Sequence, residues 1–263
     1  MSSQPRLALA ALAAGVLVLT VAAGSLAQSD FTIRVEATAN PWAAGHAGPP
    51  TIGTLPAEIV VPEGKTTVSF PNVSGSWSNT GPMLSADGER PAVGTSFDCG
   101  GPPPCTVLSS NGLSGLIDAT RFWYLAGVFI GPGTPGGSPP PSIDFTDRHE
   151  LTVLEPALGG VFFIGDGRTS DGVAQLFRVP PGSTRLFLGM VDICAPDQIA
   201  GCYFDNSGSL DVTTSWGSAP DTATQPAPAT PRHDGNDVLL AAVGAVAFLV
   251  AMLLRPRASQ ASP

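Results

Sequence analysis

Three oxygen-bearing side chains in the last third of the sequence are of the types that bind hard cations. Asp192 directly follows the apolar run 186–191, and Asp205 and Asn206 precede the alternating stretch 209–216. Calcium is bound by about six to eight oxygens from carboxylates, side-chain amides and backbone carbonyls. If the two flanking runs are strands of one hairpin, Asp192 meets the other two side chains although 13 positions separate it from Asp205. The residues predict either a Ca²⁺ site or an ordinary polar turn, because Asp, Asn, Ser and Gly are also common turn residues.

Sequence motifs of the common hydrolases are missing from the chain. It contains neither G-x-S-x-G, a nucleophile elbow, nor H-E-x-x-H, a zinc motif. The three histidines are His46, His149 and His233. We interpret His149 and Glu150 as the solvated start of an edge strand. We expect a binding module and not an enzyme. A hydrolase with a carboxylate pair drawn from Asp166, Asp171 and Asp192 is the alternative, because such pairs need not be close in sequence.

The composition favours a folded, β-rich protein that does not bind nucleic acid. Hydrophobic residues make up 43% of the chain and charged residues 13%, so most of it can form a packed core. The 31 glycines and 27 prolines disfavour long helices. The formal net charge is −9, whereas nucleic-acid binding requires a basic surface that contacts the phosphates.

Apolar segments near both ends indicate an exported, membrane-anchored protein. The run 7–27 follows Arg6 and ends in small residues, which is typical of a signal peptide cleaved after Ala27 or, alternatively, of an uncleaved anchor. The 17 residues 238–254 are closed by Arg255, which favours a transmembrane helix over a buried core helix. The predicted organisation is a signal peptide (1–27), an extracytoplasmic domain (28–217), a Pro/Ala/Thr-rich stalk (218–237), a transmembrane helix (238–254) and a cytoplasmic tail (255–263).

Short strand patterns separated by Gly/Pro turns fill the predicted extracytoplasmic domain. The predicted strands are 31–37, 57–61, 66–70, 123–130, 149–154, 160–164, 174–179, 184–191 and 209–216. No segment between them has helical periodicity. The pattern therefore predicts an all-β sandwich or barrel.

Four cysteines occur in the predicted exported domain, and export favours disulfides over free thiols. They are Cys99, Cys105, Cys194 and Cys202. Three connectivities are open, and proximity in sequence favours Cys99 with Cys105 and Cys194 with Cys202. A zinc site is the alternative, although no C-x-x-C pair is present.

The segment 176–216 resembles the calcium-dependent galactophilic bacterial lectins and the exported, membrane-anchored proteins that share their domain. The shared pattern is a strand, a second strand ending in Asp, a loop, an Asp-Asn-Ser-Gly-Ser motif at 205–209 and a final strand. Weaker similarities are Asn40-Pro41-Trp42, Trp77 followed by Gly81-Pro82, and Asp87-Gly88-Glu89-Arg90-Pro91. The resemblance implies a two-sheet antiparallel sandwich of jelly-roll type.

The resemblance also implies a set of calcium ligands and a way of binding sugar. The side chains of Asp192, Asp205 and Asn206 match the family's ligands, and the carbonyls of Cys202 and Thr80 match its backbone ligands. In the family two sugar hydroxyls complete the coordination shell. Since a vicinal diol also donates hydrogen bonds to the same carboxylates, metal and protein recognise the sugar together.

The sequence departs from the family where sugar selectivity is set. Arg90 replaces a histidine and Val93 replaces a glutamine, so a preference for galactose does not transfer. Arginine binds carboxylates and phosphates in a bidentate manner, whereas the valine side chain offers no hydrogen bond. Arg90, Val93 and the three metal-binding side chains are therefore the predicted ligand contacts.

The expected function is a cell-surface, calcium-binding, lectin-like module whose partner is an extracellular carbohydrate. The alternative is a calcium-stabilised structural or protein-interaction domain of the cell envelope that binds no sugar. Trp42 and Trp77 lie beside Gly/Pro/Ser-rich loops and are either exposed stacking platforms for sugar or core residues. Trp123 and Trp216 are predicted to pack in the core.

Overall fold

A computed structural model of the chain describes residues 30–48, 52–90, 104–194 and 198–218. The predicted signal peptide, transmembrane helix and tail lie outside the described residues, as does the predicted stalk apart from its first residue. Val93 and Cys99 also lie outside them. Within the described ranges, no helix has the length and apolar character needed to cross a membrane.

The described residues form short β-strands joined by turns, with two single 3-10 turns and no α-helix among them. The strands are β1 (Phe31–Glu36), β2 (Ala57–Val60), β3 (Thr67–Asn79), β4 (Cys105–Val107), β5 (Leu116–Asp118), β6 (Leu125–Ile130), β7 (Ile143–Asp144), β8 (Val153–Leu154), β9 (Val161–Phe163), β10 (Leu176–Arg178), β11 (Arg185–Met190), β12 (Ile193–Cys194), β13 (Ile199–Ala200) and β14 (Asn206–Gly217). The 3-10 turns are Pro41–Ala43 and Tyr203–Asp205.

Two larger sheets and two small ones contain these strands. The larger sheets have the orders β1-β14-β3-β10-β8 and β2-β11-β6-β9, and the small ones β12-β13 and β4-β5-β7. Buried side chains from both larger sheets, such as Phe70 on β3 and Phe129 on β6, belong to one hydrophobic cluster. The described residues therefore confirm an all-β sandwich. The expected purely antiparallel pairing is wrong, because β8 pairs with β10 and β5 with β7 in parallel.

Two predicted strands differ from the observed ones for identifiable reasons. The segment 66–70 was expected to end at Pro71, but β3 continues to Asn79 because β14 pairs with it along most of its length. Residues 71–79 are largely exposed and lack apolar alternation, so their sequence carries no strand signal. The segment 149–154 was expected to be one strand, but only Val153–Leu154 is extended, and His149 lies in a preceding turn.

The expected hairpin around the candidate site is also wrong. The strand that precedes Asp192 is β11 in the four-stranded sheet, whereas the strand that begins at Asn206 is β14 in the five-stranded sheet. The connection between them crosses from one sheet to the other. At its far end Asn206 is the register partner of Asn79, the last residue of β3, so three strand ends from two sheets meet near the site.

Candidate metal centre

The connection that carries the site is held by a short hairpin and a disulfide. β12 pairs antiparallel with β13, and the Gly201 N–H donates to the carbonyl of Asp192 at 3.2 Å. The predicted disulfide between Cys194 and Cys202 is confirmed, with 5.1 Å between the two Cα atoms. Cys105 is also disulfide-bonded, and its expected partner Cys99 lies outside the described residues. The disulfide holds the end of the connection beside its start.

Asp192 is a buried carboxylate that accepts described hydrogen bonds through only one of its two oxygens. Its relative exposure is 1%. Oδ1 accepts hydrogen bonds from the Ile193 N–H at 2.8 Å, the Trp123 indole at 3.2 Å and the Asn79 amide at 3.3 Å. Oδ2 has no hydrogen-bond partner among the described residues. The pKa of Asp192 is raised to about 7, chiefly by burial and to a lesser extent by the charge of Asp205, while the donated hydrogen bonds oppose the shift.

Asp205 and Asn206 bring two more unpartnered oxygens to the same place. Asp205 Oδ1 and Asn206 Oδ1 are buried without a hydrogen-bond partner in the described part of the chain. The Asn206 amide N–H donates to the carbonyl of Ala37 at 3.1 Å, which turns its oxygen away from that carbonyl. A hydrogen bond from the Asn206 side chain lowers the pKa of Asp192 and the charge of Asp205 raises it, so the three side chains lie near one another.

The concentration of unpartnered oxygens distinguishes this cluster from the rest of the described molecule. Five buried side-chain oxygens without a partner occur among the described residues, and three belong to Asp192, Asp205 and Asn206. Each such group costs about 1–3 kcal/mol when it loses water without gaining a donor. Carboxylate and side-chain amide oxygens are the ligand types that hard cations take. Each of the three side chains that the sequence predicted as calcium ligands therefore has one buried oxygen without a described hydrogen-bond partner.

The backbone beside the cluster adopts the left-handed conformation at three non-glycine residues. These are Thr80 with φ of 50°, Trp123 with φ of 55° and Cys202 with φ of 64°. Such residues cost on the order of 1–3 kcal/mol and concentrate at functional sites. Cys202 begins the turn Tyr203–Asp205, and Thr80 directly follows Asn79, whose side chain donates to Asp192. Both predicted carbonyl ligands therefore belong to segments that reach the cluster. A hydrogen bond of 2.7 Å from the Ser78 hydroxyl to the Gly81 carbonyl closes the turn around Thr80.

Arg90, a predicted sugar contact, takes part in a different polar group. Its guanidinium forms an ion pair with Glu150 at 3.9 Å. Glu150 is also 3.5 Å from the buried Arg121, which in turn contacts Asp87 at 3.3 Å. Arg90 is more than half exposed, so its head group also faces solvent. The contacts described for Arg90 are therefore with this second group of charges and not with Asp192.

Three tryptophans are buried in the core, and a fourth also has a polar role. Trp42 and Trp77 are 1% and 0% exposed, so the stacking-platform interpretation is wrong and the core interpretation is confirmed. Trp216 is buried as predicted. Trp123 packs against the core but also donates its indole N–H to Asp192, a polar role that the sequence did not reveal. Asn79 was likewise missed, because its link to Asp192 depends on the unpredicted length of β3.

The histidine that was interpreted as part of a solvated edge is buried. His149 is 6% exposed, and its Nε2 lies 2.8 Å from Asp118 Oδ2. The edge interpretation is therefore wrong. Of the carboxylates considered for a hydrolase, Asp166 is partly buried and its N–H donates to Asp87, while Asp171 is exposed. Burial, followed by the charge of Asp87, raises the pKa of Asp166.

The donor set of the Asp192 cluster is that of a hard cation and not of zinc. No group of three or more His, Cys, Asp and Glu side chains suited to a metal occurs in the described ranges. The cluster instead combines two carboxylates with one side-chain amide oxygen. Calcium accepts such mixed oxygen sets, whereas structural zinc sites rely on Cys and His. The residues present therefore fit calcium.

Comparison of the chain with known proteins gives no relative from which a function could be transferred. No protein-family model, no curated protein and no solved structure matches it. The resemblance to calcium-dependent lectins therefore stays a prediction from sequence motifs. The functional argument depends on the geometry of the site itself.

Proposed function

We propose that this protein is a calcium-binding, lectin-like module that recognises carbohydrate through a Ca²⁺ ion at the Asp192 cluster. The observation that carries the proposal is the convergence of three buried, unpartnered oxygens on Asp192, Asp205 and Asn206. The sequence alone also predicts these three side chains as calcium ligands. The carbonyls of Thr80 and Cys202 are the proposed backbone ligands.

Each residue of the cluster has a separate task in this proposal. Asp192 supplies a buried negative charge, and its pKa of about 7 means that a cation and a proton compete for it near neutral pH. The hydrogen bonds from Ile193, Trp123 and Asn79 to Oδ1 fix the carboxylate, so that Oδ2 faces the cluster. Calcium, when bound, supplies a positive charge that balances the two carboxylates and interacts with the amide oxygen.

The exposure of Asp205 supports the carbohydrate part of the proposal. Asp205 is only partly buried, so the cluster adjoins the surface on that side, whereas Asp192 closes it on the inside. Sugar hydroxyls are suitable ligands for the outer positions, because a vicinal diol both coordinates a hard cation and donates to carboxylates. The departures at Arg90 and Val93 leave the identity of the sugar open to a screen.

The same module is proposed to act outside the cell on a membrane anchor. The signal peptide (1–27) and the transmembrane helix (238–254) inferred from sequence support this placement. An extracellular site operates in calcium concentrations that fill even sites with Kd near ~10⁻⁴ M. The pairing of Cys194 with Cys202 agrees with an oxidising compartment.

One observation favours the alternative of a calcium-stabilised structural domain. The cluster lies where the connection from the four-stranded sheet reaches β14 of the five-stranded sheet. A cation at this junction would hold the two sheets together whether or not a sugar bound. Metal-dependent stability alone therefore does not distinguish the two functions, and carbohydrate binding must be measured separately.

The test is a calcium titration of the purified full-length chain by calorimetry after chelation, followed by a glycan array with and without EDTA. We expect one calcium ion to bind with Kd between about 10⁻⁵ and 10⁻³ M. Asp192→Asn should weaken binding at least about 10-fold, because it removes the buried charge. The matched control is Asp211→Asn, which removes an exposed carboxylate from β14.

The array separates the two functions. A glycan signal that disappears with EDTA and in Asp192→Asn supports the lectin-like module. Calcium binding without any glycan signal supports the structural alternative. Failure of the wild-type chain to bind calcium, or equal binding by the Asp192 and Asp211 variants, would overturn the proposed site.

A further inference from the structure

A cavity of about 700 Å³ lies where three of the sheets end. Its lining includes Ile143 of β7, Val153 and Leu154 of β8 and Phe162 of β9. Each of these strands is the last in its sheet, β7 in the three-stranded, β8 in the five-stranded and β9 in the four-stranded sheet. None of the described lining residues belongs to the Asp192 cluster. The volume is typical of a small-molecule site.

Much of the lining of this cavity is apolar. Phe145, Leu154 and Phe162 line it and are buried, whereas Leu151 and Val153 are 43% and 42% exposed. A ligand that covers the two exposed side chains removes their surface from water, which is favourable in proportion to the apolar area covered. The lining therefore suits an apolar chain.

Three charged side chains also line the cavity, and two of them have a described partner. They are Asp144, Arg148 and Glu155. The Glu155 carboxylate forms an ion pair with Arg178 at 3.2 Å. The Thr146 N–H donates to Asp144 Oδ1 at 2.9 Å. Hydrogen bonds from Thr146 are also the main cause that lowers the pKa of Asp144, ahead of the charge of Arg148. Neither carboxylate therefore depends on a ligand for a partner.

Arg148 differs from the other arginines of the described residues. Its guanidinium has no hydrogen bond and no ion pair within the described ranges, and its charge acts on Asp144 only at longer range. The other described arginines each have an ion pair or a hydrogen bond to a carbonyl, and they are Arg34, Arg90, Arg121, Arg168, Arg178 and Arg185. Arg148 is exposed, so its N–H groups are available at the open side of the cavity. A guanidinium binds a carboxylate in a bidentate manner.

We infer that this cavity binds a single-chain amphiphile with a carboxylate head, of the fatty-acid class. The tail lies against Leu151, Val153 and the buried aromatic rings, and the carboxylate accepts two hydrogen bonds from the Arg148 guanidinium. Exposed charged residues and buried apolar residues line one cavity, so both ends of such a ligand are accommodated together. The inference adds a second ligand to the protein and does not rest on the proposed calcium site.

An extended peptide and a phospholipid are the other occupants that this lining could attract. A peptide can add a strand to an exposed sheet edge, but β7 and β8 have two residues each and offer few main-chain groups. A phospholipid is presented by a membrane, and the carboxylates of Asp144 and Glu155 beside the cavity are repelled by anionic membranes. The free single-chain carboxylate is therefore the favoured occupant.

The experiment is calorimetry of the full-length chain in EDTA, with each ligand below the concentration at which it aggregates. Hexanoate, octanoate and decanoate test the tail. Each added CH₂ should tighten binding about threefold to fourfold, which is the factor for burying one such group. Octanoate and 1-octanol test the head group. Octanoate should bind about fivefold more tightly than octanol, because only the carboxylate pairs with the guanidinium.

Two pairs of variants test the head and the tail separately. Arg148→Gln should abolish the preference for octanoate and leave the affinity for octanol within about twofold. Its matched control, Arg34→Gln, removes a guanidinium from β1 at the opposite edge of the five-stranded sheet and should change nothing. Val153→Thr places a hydroxyl in the cavity and should weaken both ligands about threefold. Val60→Thr, on β2, is the matched control and should weaken neither.

Several results would overturn this inference. Affinity that does not depend on tail length excludes burial of the tail. Equal affinity for octanoate and octanol, or a preference for octanoate that survives Arg148→Gln, excludes the assigned head group. Tighter binding of the capped peptide Thr-Val-Thr-Val-Thr, or of dibutanoyl phosphatidylglycerol, than of octanoate would identify a peptide or a phospholipid as the occupant. Asp192→Asn should bind octanoate as the wild-type chain does, so a failure of the calcium site and a failure of this cavity are distinguishable.

Discussion

Two carboxylates among the described residues are buried almost completely, and their surroundings differ in one decisive respect. Asp118 at the end of β5 is 0% exposed, and Asp192 after β11 is 1% exposed. Both oxygens of Asp118 have donors, whereas Asp192 has donors on one oxygen and none described on the other. Equal burial therefore does not imply an equal role. A carboxylate whose hydrogen bonds are complete supports the fold, and one left incomplete is available to a ligand.

Both carboxylate oxygens of Asp118 have hydrogen-bond partners within the protein. Its Oδ1 accepts from the backbone N–H groups of Thr120 and Arg121, each at 2.9 Å, and its Oδ2 lies 2.8 Å from the His149 ring. The His149 ring packs edge-on against Phe163 at 4.6 Å between ring centroids. The group is closed to solvent, since His149 is only 6% exposed. It needs no external partner.

The comparison predicts that removing the charge of Asp118 has the largest effect on stability. Asp118→Asn leaves His149 and the local N–H groups with a weaker acceptor in a buried site. We expect a loss of about 3–5 kcal/mol in the free energy of unfolding, typical of breaking a buried pair. Urea unfolding at neutral pH measures it, and the loss should be the same with calcium and with EDTA.

Asp192→Asn is the matched control for this difference. With EDTA it should cost less than about 1 kcal/mol or stabilise the protein, because the native carboxylate has an unpartnered oxygen. With calcium it should lose the stabilisation that the wild-type chain gains. If Asp192→Asn in EDTA is as damaging as Asp118→Asn, the distinction between the two carboxylates is wrong.

The second prediction concerns pH and distinguishes the Asp192 cluster from the rest of the protein. The pKa of Asp192 rises from the ordinary 3.8 to about 7 in the folded chain, chiefly through burial. The folded state therefore holds this proton more tightly than the unfolded state does. The contribution of Asp192 to stability in EDTA should be greatest below about pH 4 and fall as the pH rises to about 7, by up to roughly 4 kcal/mol.

The measurement subtracts the unfolding free energy of Asp192→Asn from that of the wild-type chain at each pH. Subtraction is needed because burial also raises the pKa values of Asp87 and Asp166, which contribute in the same direction. Saturating calcium should remove the fall, since the cation then replaces the proton. A flat difference between pH 4 and 7 in EDTA would show that Asp192 is not strained by its burial.

The sequence placed Asp192, Asp205 and Asn206 beside strand ends but did not predict the architecture that joins them. Oxygen-bearing residues beside strand ends are a local signal. The hairpin was wrong, since nothing local tells which sheet each strand joins. Asn79 and Trp123 were missed for the same reason, because their contacts with Asp192 span 113 and 69 positions.

The sequence did not predict the Asp118 site, for a related reason. His149 lies beside charged residues, a pattern typical of the surface, yet the turn before β8 directs it into the core. Its partner Asp118 lies 31 positions earlier on a strand too short to be predicted. Arg148 carried no signal either, because the partners of a single charged residue depend on the whole surrounding surface. Strand patterns in contrast predicted the all-β class, since they depend only on neighbouring residues.

The disulfide between Cys194 and Cys202 offers a third prediction, because it lies beside the Asp192 site. Cys194 and Cys202 close a loop of eight positions around the Asp192 connection. Replacing both by serine should lower the free energy of unfolding by about 2–3 kcal/mol. Calcium affinity should also fall several-fold, because Cys202 begins the turn that carries Asp205. Calorimetry with calcium checks this, and unchanged affinity would show that the loop is not needed to position the ligands.

The smallest expected effect concerns two adjacent residues, one in contact with the Asp192 site and the other with the Asp118 site. Trp123 donates its indole N–H to Asp192, whereas the ring of Tyr124 packs against His149 at 6.2 Å between centroids. Trp123→Phe removes a hydrogen bond that lowers the pKa of Asp192, so the pKa should rise further and calcium affinity at pH 7 should fall about threefold to tenfold, equivalent to about 1 kcal/mol. Tyr124→Phe removes a buried hydroxyl beside Asp118 and should leave calcium affinity unchanged. Because the two substitutions differ by one position and both retain an aromatic ring, a similar loss of calcium affinity in both would mean that the sites are coupled through the backbone and are not independent.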